Sequence, residues 1–328
     1  MQQNIKGKQK PLLISQEHAG RLLQISRKAK WLFPSSLGRP IAKDIPEWLD
    51  SIIISRSLFP EAVKYFLEKR QIDEAYELSA NVWRLWVLEH KEKEGRIFLN
   101  TVLDKKNFPE TRYCALTLYG DGLFAYRLGD TAASRESNNE ALVIANKINN
   151  IETQGLALLG LCRVEFSESN FEQSHELAVK SLDLLKQLGP LYKQGVLNFA
   201  AQSAFAIGNL NEAENLFRQS LELNRQINDE TMFTVDLHNL GHVEVKLGKV
   251  DEAEVHFNEC EKLSDDPNDA FSSALNLFNK ATIAYARNDI IKARLLINQS
   301  REIINKNKIE LPLEDETALN KLEKLIID

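Results

Sequence analysis

The feature that most constrains this chain is a period. Five turn residues, Gly129, Ser169, Gly208, Gly248 and Asn288, stand 40, 39, 40 and 40 residues apart. Eleven residues before each comes a leucine: Leu118, Leu158, Leu197, Leu237 and Leu277. Seven before comes a small residue: Gly122, Cys162, Ala201, Gly241 and Ala281. Five after stand Ser134, Ser174, Ala213, Ala253 and Ala293, and twelve after stand Ala141, Ser181, Ser220, Cys260 and Ser300. A period of this length marks stacked supersecondary units, none of which buries its apolar face alone.

One unit, Leu237 to Cys260, shows what is repeated. Leu237, Leu240, Gly241 and Val245 lie on one stripe of a helix. Gly248 ends that helix, because glycine takes the left-handed cap conformation without steric cost. A second helix follows, with Asp251 in its first turn and Ala253, Phe257 and Cys260 along its stripe. Gly241 and Ala253 are small enough for the two backbones to approach closely. This is the tetratricopeptide (TPR) pattern, although the spacing exceeds the minimal repeat of about 34 residues. The surplus falls at Asn149–Asn150, Gly189–Pro190, Asn228–Asp229 and Asp265–Asp269. The expected fold is all-α, a right-handed superhelical TPR solenoid of the α-α superhelix class. Residues 1–10 read as a disordered basic arm and 11–110 as an N-terminal helical region with divergent repeats. Residues 111–304 read as five repeats and 305–328 as a capping helix, centred on Leu313–Ile327, that shields the last apolar face.

Composition narrows the function classes. Fourteen Gly and nine Pro in 328 residues are too few for a turn-rich all-β fold. No apolar run reaches the roughly 18 residues of a membrane span. The opening MQQNIKGKQK is followed by no apolar signal segment. Cys114, Cys162 and Cys260 are odd in number and two of them occupy repeat-core slots, which suits a reducing cytoplasm. The net charge of −6 hides nine Lys or Arg against one acid, Glu17, in residues 1–43. A basic head suits nucleic acid or anionic lipid, or docks on the acidic solenoid. Nothing has helix-turn-helix length and pattern, so neither nucleic acid nor membrane is an expected partner.

The region before the repeats reads as a series of helices. Ile14 to Phe33 stops at Pro34, and Pro34–Pro40 is a loop. Trp48 to Ile54 is broken at Ser55–Pro60, and Pro60 opens a helix through Leu67. Asp73 to Leu88 carries Trp83 and Trp86; a charged turn at His90–Glu94 leads to a helix from Gly95 to Leu103. The order of these pieces resembles a known family. EHAGRLLQISRKAKWLF (Glu17–Phe33) looks like the helix after the winged-helix part of STAND-class (MalT-like) bacterial transcriptional regulators. Glu47–Ala75 resembles their Trp-Leu-led helix pair and Ala80–Leu103 their Trp-rich helix and its partner; Lys292–Asp328 is similar to their closing repeat and cap. The chain has no G-x-x-x-x-G-K-[ST]; Gly241 to Gly248–Lys249 has the wrong spacing and is followed by Val250. The resemblance therefore implies the sensing, superhelical part of such a regulator, without ATP hydrolysis.

His238 and His242 lie four residues apart on one helix face, a spacing that can bind metal. The metalloprotease motif needs Glu after the first His, and Asn239 stands there. The lone Gly-x-Gly at Gly120–Gly122 lies inside a helix, not after a strand, so it is no dinucleotide fingerprint. No catalytic triad can be composed, and the expectation is a non-enzyme without cofactor or metal. In TPR arrays the first helix of each pair lines the concave face. This predicts a groove made by Tyr119, Tyr126, Arg163, Asn198, Gln202, Phe205, His238, Asn239, His242 and Lys246, centred on residues 194–227 and 234–267. Its ligand would be a peptide, a protein segment or a small effector, with Arg163 and Lys246 favouring a carboxylate. Two imidazoles would make its binding change near pH 6.5, roughly their unperturbed pKa. In a competing reading the aromatic row Tyr126, Phe166, Phe205, Tyr285 only packs between helices. The chain is then a scaffold that oligomerises, with Trp48, Trp83 and Trp86 available for the contact.

Overall fold

The computed structural model describes residues 14–29, 52–103, 108–264, 269–311 and 313–327. The basic arm, the Pro34–Pro40 loop and Trp48 lie outside the described residues. The described residues are helices and the turns between them, and they form two compact units that divide after Gly160.

The first unit contains α1 (Gln16–Ala29), α2 (Phe59–Glu68), α3 (Ile72–Val82), α4 (Arg84–Leu88), α5 (Glu92–Leu103), α6 (Arg112–Arg127) and α7 (Thr131–Lys147). It also takes the first ten residues of α8 (Ile151–Ser167). Residues 52–55 are helical and run through a 3-10 turn, Arg56–Leu58, into α2. The single helix expected over Asp73–Leu88 is two helices that meet at Trp83. The Trp83 indole is fully buried, edge-on to Tyr119 and Phe124, in space that Gly120 leaves open. The charged turn is shorter than expected: His90 takes φ 53° and α5 starts at Glu92.

The second unit contains the rest of α8, then α9 (Phe171–Leu185), α10 (Pro190–Ala206), α11 (Leu210–Gln226) and α12 (Glu230–Lys246). α13 (Val250–Leu263), α14 (Ala270–Ala286), α15 (Ile290–Asn307) and α16 (Leu313–Ile327) follow. The periodic turn residues explain why helices stop where they do. Gly129, Ser169, Gly208, Gly248 and Asn288 all have φ between 63° and 83°. After each, the next N–H closes back five residues, as Lys249 N does on Glu244 O (2.9 Å) and Asn170 N on Glu165 O (2.9 Å). Helix starts are capped by carboxylates: Asp130, Asp229, Asp269 and Asp289 each accept a backbone N–H three residues on.

Every small residue of the periodic pattern is buried. Gly241 has no room for a side chain, since a Cβ there would meet the ring of Phe257 on α13. One apolar cluster joins Leu197, Ala201, Phe217, Leu237 and Cys260; another joins Phe278, Ala281, Ile297, Leu319, Leu322 and Ile326. The fold class is all-α, an array of TPR-type helix pairs.

Candidate functional site

The residues of α12 follow the helical period, which puts Asp236, Leu237, His238, Leu240 and Gly241 all inside the structure. His238 is only 6% exposed, and its Nε2 donates to Asp315 Oδ1 of α16 at 3.0 Å. His242 lies one turn on, its ring 4.6 Å from that of His238 and stacked 4.9 Å from Phe278 of α14. His242 Nε2 donates to Asn279 Oδ1 at 3.1 Å. Burial first, and the neighbouring His238 second, push His242 down to about 3. Burial works to raise Asp315, but the His238 imidazole and its hydrogen bond hold that carboxyl below its usual range. His238 Nδ1 and Asn279 Nδ2 are buried and make no hydrogen bond. Lys246, exposed at the end of α12, is lowered by burial and by Lys321 of α16.

A second polar group lies beside this cluster and is internally satisfied. Asp236 is fully buried and accepts Asn198 Nδ2 (3.0 Å) and Asn224 Nδ2 (2.6 Å). Gln202 Nε2 donates to Asn198 Oδ1 (2.9 Å), and Gln194 Nε2 reaches Asn224 Oδ1 (2.8 Å) and Asp229 Oδ2 (2.6 Å). Burial raises Asp236 to about 6, against the opposing hydrogen bonds of Ser220, Asn198 and Asn224.

These contacts redraw the expected groove. Asn198, expected on the open groove, is buried, and its amide serves Asp236. The positions after the repeat leucines, Tyr119, Leu159, Asn198, His238 and Phe278, are all buried. Arg163 is also buried, its guanidinium 5.5 Å from the Phe199 ring. Tyr119 and Tyr126 lie in the first unit, the former buried against Trp83. Gln202, Phe205, Asn239 and His242 are half-buried and Lys246 is exposed; these keep an accessible edge on the first-helix face of the second unit. His242 stays neutral to about pH 3, so it supplies no switch near 6.5. The aromatic row is partly packing, as Phe166 lies 5.3 Å from Phe171 and 6.0 Å from Phe199.

Sequence reasoning missed Asp315, Asn279 and Asp236. Asp315 had a signal: it leads the stripe Leu319, Leu322, Ile326, an acid where a capping helix has no need of one. Burial pushes Cys114 and Cys260 up to about 12 and Cys162 to about 11, which keeps all three as thiols. Among the described residues no three His, Cys, Asp or Glu converge as a metal site, and no helix is long and apolar enough to cross a membrane.

The tetratricopeptide repeat family matches residues 195–227 and 237–267. No curated protein matches the chain in sequence. Solved structures share the fold. The apo form of RapI is 12% identical over 94% of this chain and 82% of its own, with a TM-score of 0.59. A tetratricopeptide repeat protein from Parabacteroides merdae is 15% identical over 94% of this chain and 99% of its own, with a TM-score of 0.50. PilF of Pseudomonas aeruginosa is 13% identical over 71% of this chain and 93% of its own, with a TM-score of 0.53. Residues 195–227 and 237–267, which include His238, Asn239, His242 and Lys246, are thus two tetratricopeptide repeats in an all-helical chain of TPR-like fold.

Proposed function

We propose that the protein is an interaction module whose first-helix face on α10, α12 and α14 takes up a peptide or a helical segment of a partner protein. One observation carries the reading: the histidine cluster of α12 already holds a carboxylate delivered by another helix, Asp315 of α16. Repeat arrays of this kind work by presenting extended surfaces to partners. The accessible edge of Gln202, Phe205, Asn239, His242 and Lys246 offers an aromatic, amides, an imidazole and a cation, which suits a peptide carrying an acidic group. The resemblance of Glu17–Phe33, Glu47–Ala75 and Ala80–Leu103 to STAND-class regulators supports a place in bacterial signalling or transcription control. No residue is assigned a catalytic role.

The test is a library of acidic peptides screened against the parent chain by fluorescence polarisation. A chain with Gln202, Phe205, Asn239 and Lys246 replaced by alanine is screened beside it. The expected result is at least tenfold weaker binding by a variant that keeps its helicity and still melts cooperatively. Equal binding by both chains would overturn the assignment of the face. It would favour the scaffold reading, for which Ile291, 87% exposed, and Leu295 one turn on provide an apolar outer patch on α15.

A further inference from the structure

Asp315 belongs to α16, yet its carboxylate is held by His238 of α12, past the intervening pair formed by α14 and α15. In a linear stack each unit touches its neighbours alone. A helix that merely closed the last pair would have no need to reach α12. α16 does both. Leu319, Leu322 and Ile326 pack with Phe278, Ala281 and Ile297, and Arg301 of α15 holds Glu316 (3.0 Å) and Glu323 (2.7 Å). Asp315 meanwhile enters the histidine cluster and is 8% exposed. Asp315, Leu319, Leu322 and Ile326 are spaced i, i+4, i+7 and i+11, one helical stripe led by a carboxylate.

The fit of this helix is incomplete. His238 Nδ1 and Asn279 Nδ2 are buried beside it without a hydrogen bond, and Lys321 bears on Lys246, like charge on like. Each feature costs free energy that a better-matched occupant would not incur.

We propose that α16 is a tethered occupant of the ligand face, displaced by a partner that carries its own amphipathic helix led by a carboxylate. The partner's stripe repeats that of α16: an acid, then apolar residues four, seven and eleven positions on. This deepens the function proposed above and rests on it. The tether keeps α16 at high local concentration, so a free helix binds only when it fits better or when the tethered one is loosened.

The probe is a fluorescein-labelled synthetic peptide of residues 309–328, made with Asp or with Asn at position 315. It is titrated into the full chain and into full chains carrying Asp315→Asn or Glu323→Gln. Glu323→Gln loosens α16 from Arg301 of α15, which stays available to the peptide, without touching the histidine cluster, and so guards against misfolding of the first variant. Hydrogen exchange of residues 313–327 is read in all three. The expected result is weak binding by the parent and binding about tenfold or more tighter by the variants, the change that follows loss of one charge-assisted hydrogen bond. The Asp peptide should be preferred over the Asn peptide, and exchange in 313–327 should be faster in both variants. Equal or absent peptide binding by all three chains would overturn the proposal and leave α16 a fixed cap. If library peptides still bind the parent through Gln202, Phe205, Asn239 and Lys246 in that case, the face stands and only its tethered occupant falls.

Discussion

His242 and Asp236 share α12 and are shifted so that they oppose each other in acid. His242 is driven from 6.5 down to about 3 by burial and by His238. As pH falls below 6.5 the unfolded chain takes up a proton that the folded chain refuses. The stability due to neutral His242 is therefore complete above 6.5 and lost progressively toward 3. Asp236, raised to about 6 by burial, binds its proton first in the folded state, so its contribution grows as pH falls from 6 toward 3.8. His242→Gln should remove the first effect: its melting temperature should fall less than the parent's between pH 6.5 and 4.5. Identical pH profiles would mean that the ring is solvated. Gly241→Leu should cost about 1–3 kcal/mol or more in urea denaturation, because any side chain there strikes Phe257. Gly241 was legible in the sequence because its role is local: the small residue recurs at a fixed distance from the turn. The His238–Asp315 bond was not, since it spans 77 residues and joins a repeat to a helix outside the period. Asn198 misled for a related reason. Polar side chains on a first helix look the same in sequence whether they face a ligand or a buried carboxylate one repeat along the stack.

At the scale of the element, the turns tie sequence to structure most directly. Ser169 and Asn288 adopt the left-handed conformation at φ 63°, where Gly208 and Gly248 sit without strain. Ser169→Gly should therefore stabilise the chain by about 0.5–1 kcal/mol, and Gly248→Ala should destabilise it by about 1 kcal/mol. Asp289→Ala removes the acceptor for Lys292 N and should cost about 1 kcal/mol. All three are read from chemical denaturation; a Ser169→Gly chain no more stable than its parent would mean that the turn is relaxed with serine in place. Helix boundaries in the repeats could be read because the residues that end a helix act on their own backbone. The break at Trp83 could not, because it depends on Gly120, on another helix, making room for the indole.

At the scale of the molecule, α16 covers apolar surface as well as delivering Asp315. A chain ending at residue 312 would expose Phe278 and Ile297, and self-association should appear in light scattering at micromolar concentration, with helicity largely kept. A monodisperse truncated chain would show that this surface tolerates water. The buried amides around Asp236 have a different consequence for the whole chain. A periodic sequence invites errors of one full repeat, because the leucines and small residues of one pair fit the next pair nearly as well. Asp236 does not fit elsewhere: the residue forty positions before it is Val196, and forty after it is Asn276. A stack slipped by one repeat would bury that carboxylate away from Asn198 and Asn224, at a cost of several kcal/mol. The polar ladder thus proofreads the order of the repeats, rejecting by hydrogen bonding a misassembly that apolar shape alone would accept.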